Sequence, residues 1–304
     1  MRTQVIDKIY EIMKADKNVY FLTGDLGYHV LEKIESDFPD RFINCGIAEA
    51  NMMGVAAGLA LSGKKVFVYS IIPFLTMRPF EQIRNDICYH NLDIKLLGVG
   101  SGLAYGVLAA THFALEDVGI LGNLPNMAIF NPADGVEAQN LIEEAYRHVG
   151  PVYFRIGKKE EPKVFDKYDF EFGKGVKMTK GHNIAIFTTG TLLENALSTD
   201  KLLRDEHDIS AEIVHFPVLK PIDKNTILSA AKDKKAVFVI DEHYVHGSLG
   251  SFVSEVLAGH GKMPKVTVLG VPQEFVKKIG SQDYLRKYFG LDPEGIVKKI
   301  LGNI

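Results

Sequence analysis

One stretch of the chain sets a carboxylate where it could do chemistry: Arg41-Phe-Ile-Asn-Cys-Gly-Ile-Ala-Glu49-Ala-Asn-Met-Met-Gly-Val-Ala-Ala-Gly-Leu-Ala60. A strand ends near Cys45, Gly46 permits a tight turn, and a helix over Ala48–Leu61 opens with Glu49 in its first turn. Gly54, Ala56, Ala57 and Gly58 leave that helix thin on one side, so another backbone can approach closely. A carboxyl group so placed can hold or pass on a proton. It can equally do no more than complement the helix dipole, and spacing alone favours that plainer reading. Three further residues are ambiguous in the same way. Asp25, in Phe21-Leu-Thr-Gly-Asp25-Leu, could serve a ligand or shape a turn. His112, after Thr111, lies in a predicted loop where a lone His is usually solvated. Arg155, in Pro151-Val-Tyr-Phe-Arg155-Ile-Gly157, could meet an anion or form a rim ion pair.

The elements that must position these residues alternate. Short β-branched runs at Val19–Thr23, Lys65–Tyr69, Ile94–Val99, Met127–Phe130 and Val152–Phe154 read as strands, with helices at Ala48–Leu61 and Phe80–His90 between them. In the second helix Phe80, Ile83 and Ile87 recur at helical spacing and should face the core. Asp134 can cap a helix running to His148, and Gly150-Pro151 then starts the next strand. A charged stretch containing Pro162 breaks the pattern, which resumes with strands at Asn183–Thr189, Ala211–His215, Ala236–Ile240 and Lys265–Leu269. Helices are expected at Leu192–Arg204, Lys224–Lys232, Ser248–His260 and at the C-terminus. The expectation is an α/β chain of two domains, each a mainly parallel sheet flanked by helices: 1–160, a linker over 161–180, and 181–304.

Several stretches, in order, resemble the transketolases and deoxyxylulose-phosphate synthases. The segment around Glu49 is similar to that family's phenylalanine-x-asparagine/aspartate-x-glycine-isoleucine-x-glutamate. Further matches are Phe21 to Leu26, Thr111-His112 with Ala114-Leu-Glu-Asp117, Leu124 to Asp134, Pro151 to Gly157, Leu219-Lys-Pro-Ile-Asp223, Asp241-Glu-His243 and Gly247-Ser-Leu-Gly250. The resemblance implies thiamine diphosphate as cofactor, with a pyrimidine-binding domain over residues 1–160 and a transketolase C-terminal-like domain over 181–304. Glu49 would bond N1′ of the aminopyrimidine, favouring the tautomer whose N4′ takes the weakly acidic thiazolium C2 proton. His112 would handle proton transfer or a substrate oxygen. Asp25 would lie near the thiazolium of a neighbouring subunit's cofactor. The aromatic shelf for the pyrimidine falls within Ser70-Ile-Ile-Pro-Phe74-Leu-Thr-Met-Arg-Pro79, with Phe74 and Ile72 as rivals. Arg155, Leu108 and Ser101 would face substrate.

What is missing bears on partners. The family holds Mg²⁺ and diphosphate with a glycine-aspartate-glycine sequence followed by a later asparagine. Gly24-Asp25-Leu26-Gly27 lacks that form, and no other candidate occurs. The resemblance therefore implies an N-terminal transketolase-like partner subunit carrying the Mg²⁺–diphosphate site, in a heterotetramer with a homodimeric core. Two departures concern substrate. Leu108 stands where many transketolases place a hydroxyl-reading Asp, and the stretch Gly98 to Gly102 lacks their phosphate-reading His.

The implied reaction is transfer of a two-carbon ketol unit between sugar-like substrates. Decarboxylation of a 2-oxo acid with acyl-anion transfer, or deoxyxylulose-phosphate-synthase-like chemistry, is the alternative. A non-catalytic partner subunit is a second. Hydroxypyruvate against pyruvate as donor separates the two reactions. The bulk numbers exclude other classes: the net charge of −3 leaves no footprint for nucleic acid, and no apolar run approaches a membrane span. Two cysteines and no visible signal peptide lead to the expectation of a reduced, cytoplasmic protein.

Overall fold

Runs of Val, Ile, Leu and Phe form strands buried on both faces, as a parallel sheet covered by helices requires. The computed structural model describes residues 1–158, 161–168, 171–261 and 263–304, and holds two sheets. In the larger, β1 (Val19–Thr23), β2 (Phe42–Asn44), β3 (Lys65–Ile71), β4 (Ile94–Val99), β5 (Ala128–Phe130) and β6 (Val152–Ile156) are parallel, in the order β5-β6-β4-β3-β1-β2. The smaller contains β7 (Val176–Lys177), β8 (Ile184–Thr188) and β9 (Ala211–His215). Its order, β12-β11-β8-β9-β7, is completed by β11 (Ala236–Tyr244) and β12 (Lys265–Val271), and only β7 is antiparallel. β10 (Val218–Lys220) falls between β9 and β11 in sequence yet joins the larger sheet, antiparallel beside β5.

The core lies on both faces of the larger sheet. Leu22, Val68 and Leu96 pack with Met52 and Met53 of the helix Glu49–Leu61. On the other face Phe21, Phe67, Leu97 and Phe154 meet the helices Arg2–Ala15 and Gly135–Arg147. The first of these helices buries Val5, Ile6, Ile9, Ile12 and Met13, an apolar stripe at helical spacing. Its Lys8 reaches Glu143 on the second at 3.2 Å.

Asp134 caps the helix Gly135–Arg147 as its position leads one to expect, accepting the Glu137 N–H at 2.9 Å. Its other oxygen accepts the N–H groups of Val164 and Phe165, so the start of the expected linker is tied back to this helix. Positions 169 and 170 of that linker lie outside the described residues. The helix expected over Phe80–His90 takes a different form. One α-helical turn, Phe80–Gln82, runs into a π-helix, Ile83–Cys88. Ile83 and Ile87 are buried as their spacing requires, while Phe80 is only half-buried, because the wider turn rotates the two ends relative to each other.

Candidate active site

The parallel strands of the larger sheet end along one edge, where ligands bind in open α/β sheets. Past β1, Asp25 has φ +57° and is held by Asn44, whose Oδ1 accepts the Asp25 N–H at 3.0 Å while its Nδ2 donates back to the carboxylate at 3.0 Å. The same Asn44 oxygen accepts the Gly46 N–H at 2.9 Å. With Gly46 at φ +70°, that bond turns the chain into the helix whose first residue is Glu49. Asn44 therefore aligns the exits of two strands at once.

Glu49 is 3% exposed, a buried carboxylate at the positive end of its helix. After β3 the chain enters the short helix Ile72–Thr76, with Pro73 pre-set for a first turn. On this helix the two shelf candidates differ in burial. Ile72 is fully buried above Gly98, where a Cβ would meet it at 2.7 Å, so it belongs to the core. Phe74 is half-buried and turns toward the edge. Arg78, in the turn that follows, donates from Nη1 to Glu49 Oε2 at 2.9 Å, and its guanidinium lies 4.0 Å from the Phe74 ring centre.

The third wall comes from the loop after β4. Gly100, at φ +93°, leaves the space that Tyr105 fills; a Cβ there would stand 2.1 Å from its ring. A 3-10 segment, Gly106–Thr111, then delivers His112 with its ring 5.1 Å from Phe74 and 5.7 Å from Tyr105. Within it Ala109 has φ 61° and ψ −162°, a conformation that ordinarily belongs to glycine and collects at functional sites. Thr111 Oγ1 lies 2.9 Å from His112 Nδ1 and also donates to the Leu108 carbonyl at 3.2 Å. The hydroxyl has one proton, so with that proton on Leu108 the imidazole Nδ1–H is the donor and Nε2 keeps its lone pair. Burial pushes the His112 pKa below its ordinary value, and the cations Lys158 and Arg78 push it the same way. Lys158, just past β6, lies 4.3 Å over the Tyr105 ring.

The structure thus brings together Glu49, Phe74 and His112. Leu108 is on the same loop as His112, with its apolar side chain 45% exposed, and Asp25 is exposed on the same sheet edge. Two expectations need correction. Arg155 does not face substrate: it is 3% exposed, with Nε 2.8 Å from Asp117 Oδ2 and Nη2 bonded to the carbonyls of Ala114 and Glu242. Tyr153 donates to the same Asp117 oxygen at 2.6 Å, so this pair is an interior tie. Ser101 is also buried, and its backbone rather than its side chain links Ile156 and Ala104.

Nothing in the sequence alone marks Arg78, Lys158 or Tyr105 for a site. Arg78 lies within the quoted shelf segment, but no spacing rule points from it to Glu49. Among the described residues, no group of three or more His, Cys, Asp and Glu side chains could hold a metal ion, and no helix is long and apolar enough to cross a membrane.

Residues 1–163 match the family model described as "Transketolase, pyrimidine binding domain", and residues 173–296 match "Transketolase, C-terminal domain". The chain is 37% identical over 262 residues to one of the subunits of the apulose-4-phosphate transketolase of Actinobacillus succinogenes, covering 86% of this chain and 84% of that one. It is 36% identical over 305 residues to "Putative transketolase C-terminal section" of Methanocaldococcus jannaschii, covering 99% and 95%. A solved structure described as "Split gene transketolase, inactive beta4 tetramer" superposes with a TM-score of 0.90 at 34% identity, covering 99% of this chain and 97% of that one.

Proposed function

This chain belongs to the transketolase family, and on that footing we propose that it is one subunit of a two-chain, thiamine-diphosphate-dependent enzyme that transfers a two-carbon ketol unit between sugar-like substrates. The observation that carries the reading is Glu49: a carboxylate 3% exposed, at a helix start, linked through the Arg78 guanidinium to the face of Phe74. That pairing fits an aminopyrimidine, which needs an acceptor for one ring nitrogen and an apolar face for stacking. When bound, thiamine diphosphate supplies the carbon nucleophile that cleaves and forms the carbon–carbon bond.

The chain's own residues do the rest. Glu49 holds the proton at the pyrimidine N1′, and Phe74 fixes the ring plane. His112, neutral at physiological pH because burial and two cations depress its pKa, presents Nε2 to take a proton from a substrate hydroxyl and return it. Lys158, beside His112, is placed to meet an anionic substrate group, in keeping with the phosphate in the name of the relative from Actinobacillus succinogenes. The glycine-aspartate-glycine sequence that holds Mg²⁺ and diphosphate in the family does not occur in this sequence, and we assign those ligands to an N-terminal partner subunit, in a heterotetramer built on a homodimeric core. Asp25, exposed on the shared edge, faces that assembly.

The test is hydrogen–deuterium exchange at the cofactor C2 in the reconstituted two-chain complex. Glu49→Gln should leave the fold intact and slow exchange by about 10²–10⁴-fold, the range of a positioned acid–base group. Unchanged exchange would reduce Glu49 to a residue that complements its helix.

A further inference from the structure

The proposed chemistry has no use for Arg78, yet Arg78 occupies the two surfaces that the chemistry needs. One is the Glu49 carboxylate, reached at 2.9 Å, and the other is the face of Phe74, covered at 4.0 Å. A flat group that donates a hydrogen bond to a buried carboxylate while stacked on an aromatic ring is also a description of an aminopyrimidine. Both cannot be served at once. We propose that Arg78 is a placeholder for the cofactor's aminopyrimidine: it neutralises Glu49 in the unloaded chain and is evicted when the cofactor binds. This rests on the assignment of Glu49 and Phe74 to the pyrimidine.

Two features make the exchange feasible. Glu49 is almost wholly out of water, and a carboxylate there needs a counter-charge until its ligand arrives. The Arg78 side chain, by contrast, is 47% exposed and sits on the turn Met77–Pro79, so it can swing back into solvent without stranding its own charge. The guanidinium is also the side-chain cation best suited to the role, being planar, weakly hydrated and able to stack. Replacing one pairing of Glu49 by another also keeps the carboxylate from being buried unpaired at any stage.

The experiment is calorimetric titration of thiamine diphosphate with Mg²⁺ into the two-chain complex. Removing the placeholder should tighten binding, since nothing then has to be displaced. Arg78→Met is expected to lower Kd about fivefold, the upper scale of a partly exposed ion pair. Arg78→Ala should do the same, and it guards against methionine itself covering Phe74. The gain should disappear in a Glu49→Gln background, where no carboxylate awaits a partner. In thermal unfolding of the chain alone, Arg78→Met should lower Tm, and less so beside Glu49→Gln. Unchanged or weaker binding in both Arg78 variants would overturn the proposal, as would a gain that persists undiminished with Glu49→Gln. Failure of the parent complex to bind would overturn the cofactor assignment itself, and the placeholder with it.

Discussion

Among the Arg–carboxylate pairs of the described residues, Arg155–Asp117 and Arg78–Glu49 are nearly equal in length and differ in almost everything else. Arg155 and Asp117 are 2.8 Å apart with exposures of 3% and 0%, and both are further bonded, Asp117 by Tyr153 and Arg155 by two carbonyls. Arg78 and Glu49 are 2.9 Å apart, but only the carboxylate is buried. An ion pair closed at both ends is part of the framework. One whose cation is half exposed and makes no second hydrogen bond among the described residues, as at Arg78, fits the exchange proposed above. Distance does not separate the two kinds; saturation and the exposure of the cation do.

The comparison can be broken most directly from its buried side. Arg155→Met leaves the buried Asp117 carboxylate without its cation, with the Tyr153 hydroxyl still donating to it and His243 Nε2 4.0 Å away, and chemical denaturation should show a loss of about 3–5 kcal/mol. A loss near that of an exposed pair, below about 1 kcal/mol, would place Arg155 among the exchangeable groups after all.

A smaller effect sharpens the open side. Thr111→Val removes the hydroxyl that holds the His112 tautomer, at a cost of about 1 kcal/mol, or roughly fivefold in kcat/KM for ketol transfer. The fold should be undisturbed, because Thr111 is exposed. Unaltered kcat/KM would mean that the tautomer is set elsewhere.

The smallest effect is a displacement along the pH axis. Lys158 disfavours the imidazolium form of His112, so Lys158→Met should let His112 gain its proton at higher pH. Activity that needs the neutral ring would then fail sooner on acidification, and the acid limb of the kcat profile should move to higher pH. An acid limb that stays in place would separate Lys158 from His112.

The same contrast explains what could be read from the sequence. Glu49 at a helix start, the Asp134 cap and the limits of β9 are local: each depends on residues a few positions away, and each was legible. The roles of Arg155 and Arg78 depend on partners 38 and 29 positions distant. Similarity to a family offered an anion for Arg155. One physical signal pointed the other way: a cation within the apolar run Val152–Ile156, in a strand expected to be covered on both faces, must find its counter-charge inside. Phe74 and Ile72 could not be ranked by composition, because only the turn entering the short helix after β3 decides which side chain meets the edge.

β10 gives the two sheets a dependence in time as well as in space. As the chain leaves the ribosome, β5 is made with one side unpaired, and the strand that covers it follows only after β8 and β9. Until then Ile129 and Phe130 offer free backbone groups to any extended segment nearby, the condition under which strands pair wrongly. Lys220 then closes the gap, its ammonium reaching the carbonyls of Gly122 and Leu124. The half that carries Glu49 is therefore begun before the other and completed only after β7, β8 and β9 of the other sheet have been made.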